Sequence, residues 1–199
     1  EKRRNGLQLI WITPLKALAK DIRQSMERAC EEMDIPWQIA VRSGDTTSSE
    51  RQKQMRSMPE CLITTPESLH LLISQKDHTR LFNNLQSVVV DEWHELLGTK
   101  RGVQMELGLG HLKVIRPSLR IWGISATIGN LEQAKDILLG PNHPRSNRIV
   151  KADIEKKTEV VSIIPDEVEK FPWAGHLGIK MMHKVLPIIE ESGRTLLFT

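Results

Sequence analysis

The sequence predicts an α/β protein in which a parallel sheet carries helices on both faces, followed by the start of a second α/β unit. Short apolar runs alternate with segments of helical periodicity, as expected for βαβ crossovers. The apolar runs are continuous, which is typical of parallel strands buried on both faces. The alternation breaks at residues 141–144, Pro-Asn-His-Pro, which predicts a linker.

The predicted elements follow one another in a regular order. Strands are predicted at residues 7–12, 37–41, 61–64, 87–90 and 119–124. Helices are predicted at residues 15–33, 48–57, 66–74, 102–114 and 131–139. Beyond the linker we expect a strand at 159–164, a helix at 176–191 that Pro187 kinks or ends, and a strand at 195–198. The predicted domains are residues 1–145 and residues 146–199.

The composition, with 39% hydrophobic and 27% charged residues, is that of an ordinary soluble globular protein. No apolar run approaches the roughly 20 residues that cross a bilayer, so we expect no membrane segment. The two cysteines match no metal-binding spacing and predict a reducing, cytoplasmic location. A net charge of +3 permits nucleic-acid binding without arguing for it. The chain starts without Met and ends in an apolar run, so we expect it to be a piece of a longer protein.

Two adjacent carboxylates, Asp91 and Glu92, directly follow the apolar run at residues 87–90, and His94 stands two residues further on. These side chains are expected at the carboxyl edge of the sheet, where open α/β folds bind ligands. One carboxylate can hold Mg²⁺ while the other acts on a water molecule. The alternative is an acidic turn at a helix N-terminus, where the helix dipole favours Asp and Glu.

Two hydroxyl residues, Ser125 and Thr127, follow the next predicted strand. Their hydroxyl groups can exchange hydrogen bonds with the acidic loop of the neighbouring strand. The alternative is that one of them caps the helix predicted at residues 131–139.

Two Thr-Pro pairs stand between a predicted strand and a predicted helix. The residues concerned are Thr13, Pro14 and Lys16 in the first segment and Thr64, Thr65 and Pro66 in the second. Thr suits a helix cap and Pro suits the first helical position, so each pair would place free backbone N–H groups at the sheet edge. Such helix starts bind phosphate without reading bases. Ordinary capping explains either pair alone, but two pairs beside an acidic strand end favour a phosphate-binding track.

Together these motifs resemble those of superfamily 2 helicases. Residues 13–18, 64–68, 91–94 and 125–127 are similar to that family's motifs Ia, Ib, II (in its DExH form) and III, in the same order. Residues 91–102, 122–130 and 172–178 resemble the large helicase-related (Lhr) group, particularly its bacterial ligase-associated DExH-box branch. Residues 196–199 are similar to the first half of motif IV. The resemblance implies a RecA-like sheet of the P-loop NTPase type, the start of a second RecA-like domain, and ATP with Mg²⁺ as cofactors.

The resemblance also implies a role for each matching residue. Asp91 would hold Mg²⁺ through water, Glu92 would act as the base on the attacking water, and His94 would couple the nucleotide state to the second domain. Ser125 and Thr127 would link hydrolysis to unwinding. The residues expected to contact the nucleic-acid backbone are Thr13, Pro14, Lys16, Arg42, Gly44, Asp45, Thr64 and Thr65. For Arg101 a phosphate contact and a structural ion pair both stay open, and Trp93 is expected to pack in the core.

The phosphate-binding pattern G-x-x-x-x-G-K-[ST] is absent from these 199 residues. In the family it precedes motif Ia, and the arginines of motif VI follow motif IV. We therefore expect this piece alone to hydrolyse ATP poorly or not at all. For the intact protein the resemblance implies a 3′-to-5′ translocase on single-stranded or partly duplex DNA that acts in DNA repair.

Several alternatives stay open at this level. The substrate could be RNA or a hybrid, and a DNA ligase or nuclease is a candidate partner. A helicase-like domain that has lost catalysis could serve as a nucleic-acid-binding platform. A different nucleotide enzyme, such as a kinase with a similar sheet, is a further alternative, although it would not require the paired Thr-Pro segments.

Overall fold

The computed structural model describes residues 6–126, 128–140, 147–152, 157–163, 182–196 and 198. In these residues five parallel strands form a sheet in the order β2-β3-β1-β4-β5. The strands are β1 (Leu9–Ile12), β2 (Ile39–Arg42), β3 (Cys61–Thr64), β4 (Ser87–Val90) and β5 (Arg120–Gly123). The register aligns Ile12 of β1 with Thr64 of β3 on one side and Val90 of β4 on the other. All carboxyl ends therefore meet at one edge.

The helices connect the strands in the predicted α/β pattern. They are α1 (Lys16–Glu32), α2 (Ser48–Arg56), α3 (Pro66–Ile73), α4 (His78–Phe82), α5 (Trp93–Leu96), α6 (Lys100–Ile115), α7 (Leu131–Leu139) and, later in the chain, α8 (Met182–Glu191). The structure matches the predicted bounds of β3, β4 and α7 to the residue. The short helices α4 and α5 were not predicted, since four or five residues carry no helical periodicity.

The core lies on both faces of the sheet, because successive strand residues point to opposite sides. Leu62 belongs to a large apolar cluster that includes residues of α3, α4, α6 and α7. Its neighbour Ile63 belongs to a smaller cluster together with Ala19 of α1. Both side chains are fully buried. The prediction of a parallel sheet covered on both faces is thereby confirmed.

The strand β5 differs from the others in its exposure. Within the described residues it pairs with β4 alone, so it forms one edge of the sheet. Its Trp122 is 62% exposed, and Ile124, which follows the strand, is also exposed.

The contacts divide the chain into two units, Glu1–Val150 and Lys151–Thr199. The assignment of residues 146–199 to a linker and a second RecA-like domain stays a prediction. Two strands predicted there are wrong, because the described residues 157–163, 195, 196 and 198 form no strand. Val160, Leu196 and Phe198 are exposed, and no neighbouring strand in the described part supplies backbone partners. The helix is present over Met182–Glu191 with Pro187 inside it, so Pro187 does not end it.

No helix in the described residues is long and apolar enough to cross a membrane. The predicted linker at residues 141–144 and the Lhr-like segment at residues 172–178 lie outside the described residues.

Candidate functional site

The predicted site residues gather at the carboxyl edge of the sheet, with one group after each strand. Thr13 follows β1, Gly44 follows β2, Thr65 follows β3, Asp91 follows β4 and Ser125 follows β5. Parallel pairing brings these five loops to the same edge, which is where α/β folds bind their ligands. Thr127 lies outside the described residues.

Asp91 is held between β4 and β1 by three hydrogen bonds. Its backbone N–H donates to the carbonyl of Ile12 at 2.8 Å. The carboxylate accepts from the indole Nε1–H of Trp11 at 3.3 Å and from the backbone N–H of Glu92 at 3.0 Å. Each carboxylate oxygen has a further lone pair, so the group can still accept from metal-bound water. Trp11 was missed at the sequence level, although its indole N–H is the only side-chain donor in an otherwise apolar strand.

Glu92 has a left-handed backbone conformation, with φ 47° and ψ 44°. This conformation costs a residue with a Cβ roughly 1–2 kcal/mol. The next residue, Trp93, compensates for it. The Trp93 backbone N–H donates to Ile124 at 2.9 Å, its indole N–H donates to the Ala134 carbonyl at 3.1 Å, and its side chain is buried. The prediction that Trp93 packs in the core is confirmed, and the turn leaves the Glu92 side chain about one-third exposed.

His94 connects the acidic turn to the loop after β5. Its Nδ1 lies 3.1 Å from the Ser125 Oγ and accepts a hydrogen bond from the Ala126 backbone N–H at 3.2 Å. A backbone N–H can only donate, so Nδ1 is the acceptor and the neutral ring carries its proton on Nε2. Nε2 lies 3.5 Å from Glu95 Oε1, and the 3.4 Å contact between Nδ1 and Glu92 becomes an ion pair only when the ring is protonated.

The capping alternative for the Ser-Ala-Thr segment is wrong for α7. Asn130 caps that helix, and its side-chain oxygen accepts from the Gln133 backbone N–H at 3.1 Å. Ser125 is instead engaged with His94 across the loops.

The two Thr-Pro pairs differ in structure. Thr65 caps α3, with its hydroxyl accepting from the Ser68 N–H at 3.4 Å, and Pro66 is the first helical residue, as predicted. The same prediction is wrong for Thr13 and Pro14. Leu15 has an extended backbone with φ −106° and ψ 111°, so α1 begins at Lys16 and has no side-chain cap.

Most of the predicted backbone-binding side chains are covered in this conformation. Thr13, Pro14, Arg42, Thr64 and Thr65 are all buried. The Thr64 hydroxyl donates to the Arg42 carbonyl at 2.9 Å, which joins β3 to β2. Burial, and then the nearby charge of Arg51, lower the pKa of Arg42. These residues therefore support the loops at the edge, and their contact with nucleic acid stays a prediction.

Of the predicted set Gly44, Lys16 and Asp45 are exposed, and the last two carry charged side chains. Their side chains form a 2.9 Å ion pair that joins the start of α1 to the loop after β2. That loop, which contains Gly44, is also held by Arg51, whose Nη2 donates to the carbonyls of Ser43 and Gly44 at 3.0 Å each. Arg51 was not predicted, since it lies in a polar helix with no motif to distinguish it.

Arg101 forms a structural ion pair. Its Nε lies 2.5 Å from Glu67 Oε1, and its Nη1 donates to the Pro14 carbonyl at 3.0 Å. Burial raises the pKa of Glu67, but hydrogen bonds from Arg101, from its own backbone and from Thr65 outweigh burial and leave that pKa below its ordinary value. Arg101 thereby fastens α6 to the loop after β1 and to the start of α3.

The edge offers few protein ligands to a metal ion. In the part of the chain that the structure describes, no three His, Cys, Asp or Glu side chains cluster to hold a metal. A single carboxylate such as Asp91, with lone pairs to spare, suits Mg²⁺, which keeps most of its water ligands. The residues present therefore fit a hydrated Mg²⁺ that is held through water.

Comparison with known proteins identifies the class. A family model described as DEAD/DEAH box helicase matches residues 1–135, and the chain belongs to this family. More narrowly, it is 34% identical over 213 aligned residues to the ATP-dependent helicase Lhr-Core protein 2 of Thermococcus barophilus. That alignment covers 100% of this chain and 24% of the relative, so the chain spans about a quarter of the length of the relatives it matches.

Solved structures agree with this assignment. The Mycobacterium smegmatis helicase Lhr, bound to single-stranded DNA and AMP-PNP, is 34% identical with a TM-score of 0.60, over 68% of this chain and 19% of that one. The DUF1998 helicase MrfA, bound to DNA and AMPPNP, is 25% identical with a TM-score of 0.59, over 69% of this chain and 20% of that one. The resemblance to the Lhr group and the RecA-like fold are confirmed, while the ligase-associated branch stays a prediction.

Proposed function

We propose that the whole protein is an ATP-dependent helicase that translocates 3′-to-5′ on single-stranded DNA and acts in cytoplasmic DNA repair. The observation that carries this proposal is that hydrogen bonds join the acidic turn to the β5 loop, from the Trp93 N–H to Ile124 and from Ser125 and Ala126 to His94 Nδ1. A domain that served only as a platform would need neither the strained Glu92 nor the His94 contacts. The relatives that are named as helicases support the same reading.

In this proposal Asp91 holds Mg²⁺ through water at the position that Trp11 and the turn backbone give it. Bound Mg²⁺ would neutralise the charge that develops on the phosphates of ATP. Glu92 orients and deprotonates the attacking water, and its partial exposure leaves it free to do so. Binding of the ATP phosphates requires groups other than these, since the P-loop pattern is absent from the 199 residues.

His94 is the proposed coupling residue. Its Nδ1 accepts from the β5 loop, so a displacement of that loop changes the position of the ring and of the adjoining Glu92. Ser125 is the hydroxyl partner in this link, and Thr127 is proposed to act beside it. Coupling of this kind would let a change in the bound nucleotide alter the position of the loops at the nucleic-acid edge.

Nucleic acid is proposed to run along the edge formed by the loops after β1, β2 and β3. Lys16 offers the exposed cation there, while Thr13, Pro14, Arg42, Gly44, Asp45, Thr64 and Thr65 shape the loops around it. Contacts to phosphates rather than base edges would let the motor ignore sequence. Single-stranded or partly duplex DNA is the proposed substrate, since the similar Lhr and MrfA structures hold DNA. A DNA ligase or nuclease is the proposed partner.

The test is steady-state ATP hydrolysis by the longer protein with both RecA-like domains, with matched single-stranded DNA or RNA as stimulator. We expect DNA to stimulate hydrolysis and Glu92→Gln to abolish it, while Glu27→Gln, an exposed carboxylate on α1, leaves it unchanged. Duplexes with a 3′ or a 5′ single-stranded tail then report the direction of unwinding. Nucleic-acid binding without hydrolysis in wild type would contradict the motor and favour a silent platform. Stimulation by RNA alone would contradict the DNA assignment.

A further inference from the structure

The helix α6 exposes an apolar stripe that the sheet does not use. Its buried residues face the core, but Val103, Leu107 and Val114 are 54%, 64% and 79% exposed. Val103 and Leu107 are four residues apart and Val114 follows after seven more, so all three share one side of the helix. The stripe extends for about 16 Å at 1.5 Å per residue, or three helical turns.

Two residues of the stripe, Val103 and Leu107, form one wall of a groove between α6 and α7. The groove has a volume of about 1030 Å³, and Ile137 and Leu138 of α7 form its other wall. Gly110 of α6 also lines the groove, and a Cβ placed on it would meet no atom within 4 Å. There is therefore open space above the glycine, which would let another backbone approach closely.

Acidic side chains outnumber basic ones at the groove, and of the acidic ones Glu132 and Asp136 are already paired with Lys135. Glu106, Glu132 and Asp136 line it, together with a single cation, Lys113. Lys113 is engaged, because its ammonium donates to the Leu139 carbonyl, and burial lowers its pKa. Burial also raises the pKa of Glu106, and no cation among the described residues pairs with it. Apolar walls beside an unpaired, partly buried carboxylate favour a partner that carries both an apolar surface and a cation.

We propose that this groove binds an amphipathic helix of a partner protein, one that carries an Arg or Lys to pair with Glu106. The apolar face of such a helix would cover Val103, Leu107 and Ile137, as in other helix-in-groove interfaces. Its cation would neutralise Glu106 in a desolvated setting, where charge complementarity gives specificity. This site is separate from the nucleotide and nucleic-acid edge and does not depend on the proposed function.

The test uses two fluorescein-labelled, hydrocarbon-stapled helical peptides of 16 residues, with the same Leu stripe and with flanking positions that are all Arg or all Glu. Fluorescence anisotropy measures their binding to the 199-residue chain. We expect the Arg peptide to bind at least about tenfold more tightly than the Glu peptide. Leu107→Asp should weaken it by about tenfold or more, and Glu106→Lys should reverse the preference. Leu71→Asp, which places the same charge at an exposed leucine of α3, is the matched control and should have no effect.

Several outcomes would overturn the proposal. One is equal affinity for the two peptides, or no binding up to about 1 mM, a Kd that corresponds to only about −4 kcal/mol. Another is an equal loss from Leu71→Asp and Leu107→Asp. A third is a monomer–dimer equilibrium, seen by analytical ultracentrifugation, that Leu107→Asp abolishes, since a second copy of the chain would then cover the groove. Circular dichroism of each variant separates a binding defect from a folding defect.

Discussion

Replacing Gly102 with alanine is predicted to damage the loop that follows the acidic turn. A Cβ on Gly102 would lie 2.0 Å from the Leu96 carbonyl oxygen and 2.9 Å from its carbon, so backbone has to move by more than about 1 Å. That movement strains the cap of α6, where the Thr99 hydroxyl donates to Leu96 at 2.7 Å and accepts from Gly102 at 3.0 Å. Overpacking costs about 1–3 kcal/mol and a lost cap about 1 kcal/mol, so we expect a loss of about 2–4 kcal/mol.

The same substitution at Gly110, eight residues further along the same helix, provides the control. A Cβ there meets no atom within 4 Å. Alanine has a helix propensity about 1 kcal/mol better than glycine, so Gly110→Ala should stabilise the chain by about that amount. Replacing glycine by alanine in this helix is thus predicted to lower the free energy of unfolding at position 102 and to raise it at position 110.

Urea denaturation followed by far-ultraviolet circular dichroism and by tryptophan fluorescence measures both variants. With a slope of about 2 kcal/mol per molar urea, Gly110→Ala should raise the midpoint by about 0.5 M and Gly102→Ala should lower it by about 1–2 M. Agreement of the two signals tests whether a single transition is being followed. A Gly102→Ala midpoint equal to that of wild type would refute the reasoning, since the carbonyl would then have moved at no cost.

Three further predictions follow from other contacts. Trp93→Phe removes the donor to the Ala134 carbonyl and should lower the unfolding free energy by about 1–3 kcal/mol in the same titration. Glu67→Gln should cost less than about 1 kcal/mol at pH 7, because its pair with Arg101 is partly exposed and screened. Folding lowers the pKa of Glu67, so its ionised carboxylate stabilises the fold at pH values above 4.5, its ordinary pKa. This stabilisation is lost as the pH falls through the folded pKa, and urea titrations between pH 3 and pH 7 measure the loss. Lys16→Ala should reduce the slope of log affinity against log salt for fluorescein-labelled oligothymidine by about 0.7, measured by anisotropy.

Each of these predictions has a result that contradicts it. Equal urea midpoints for Trp93→Phe and wild type would mean that the indole donor contributes nothing. A Glu67→Gln penalty that persists at pH 3 would place its origin in packing rather than charge. An unchanged salt slope for Lys16→Ala, or an equal change for the exposed Lys20→Ala on the same helix, would mean that Lys16 makes no specific contact with phosphate.

Strands were predicted well where burial alone determines them. The run Val88-Val89-Val90 is buried on both faces, and its bounds as β4 follow from composition. The convergence of Thr65, Asp91 and Ser125 at one edge was also predictable, because parallel strands separated by helices leave no other arrangement.

Features that depend on contacts distant in sequence could not be predicted. The helix α5 begins only because Trp93 donates to Ile124 and Ala134, which lie more than 30 residues away. The burial of the Thr64 hydroxyl depends likewise on the Arg42 carbonyl of a neighbouring strand. The second unit shows the opposite error. Apolar residues such as Val160 and Phe198 suggested strands, but apolarity without a pairing partner does not make one.

The exposed strand β5 has a consequence for handling the protein. Its outer row of backbone N–H and C=O groups lies beside the exposed indole of Trp122 in the described part of the chain. An unprotected edge strand of this kind is a template to which a second polypeptide can add a strand, in native or misfolded form. The 199-residue chain should therefore associate increasingly as its concentration rises, and Trp122→Lys, which places a charge on the edge strand, should reduce this association.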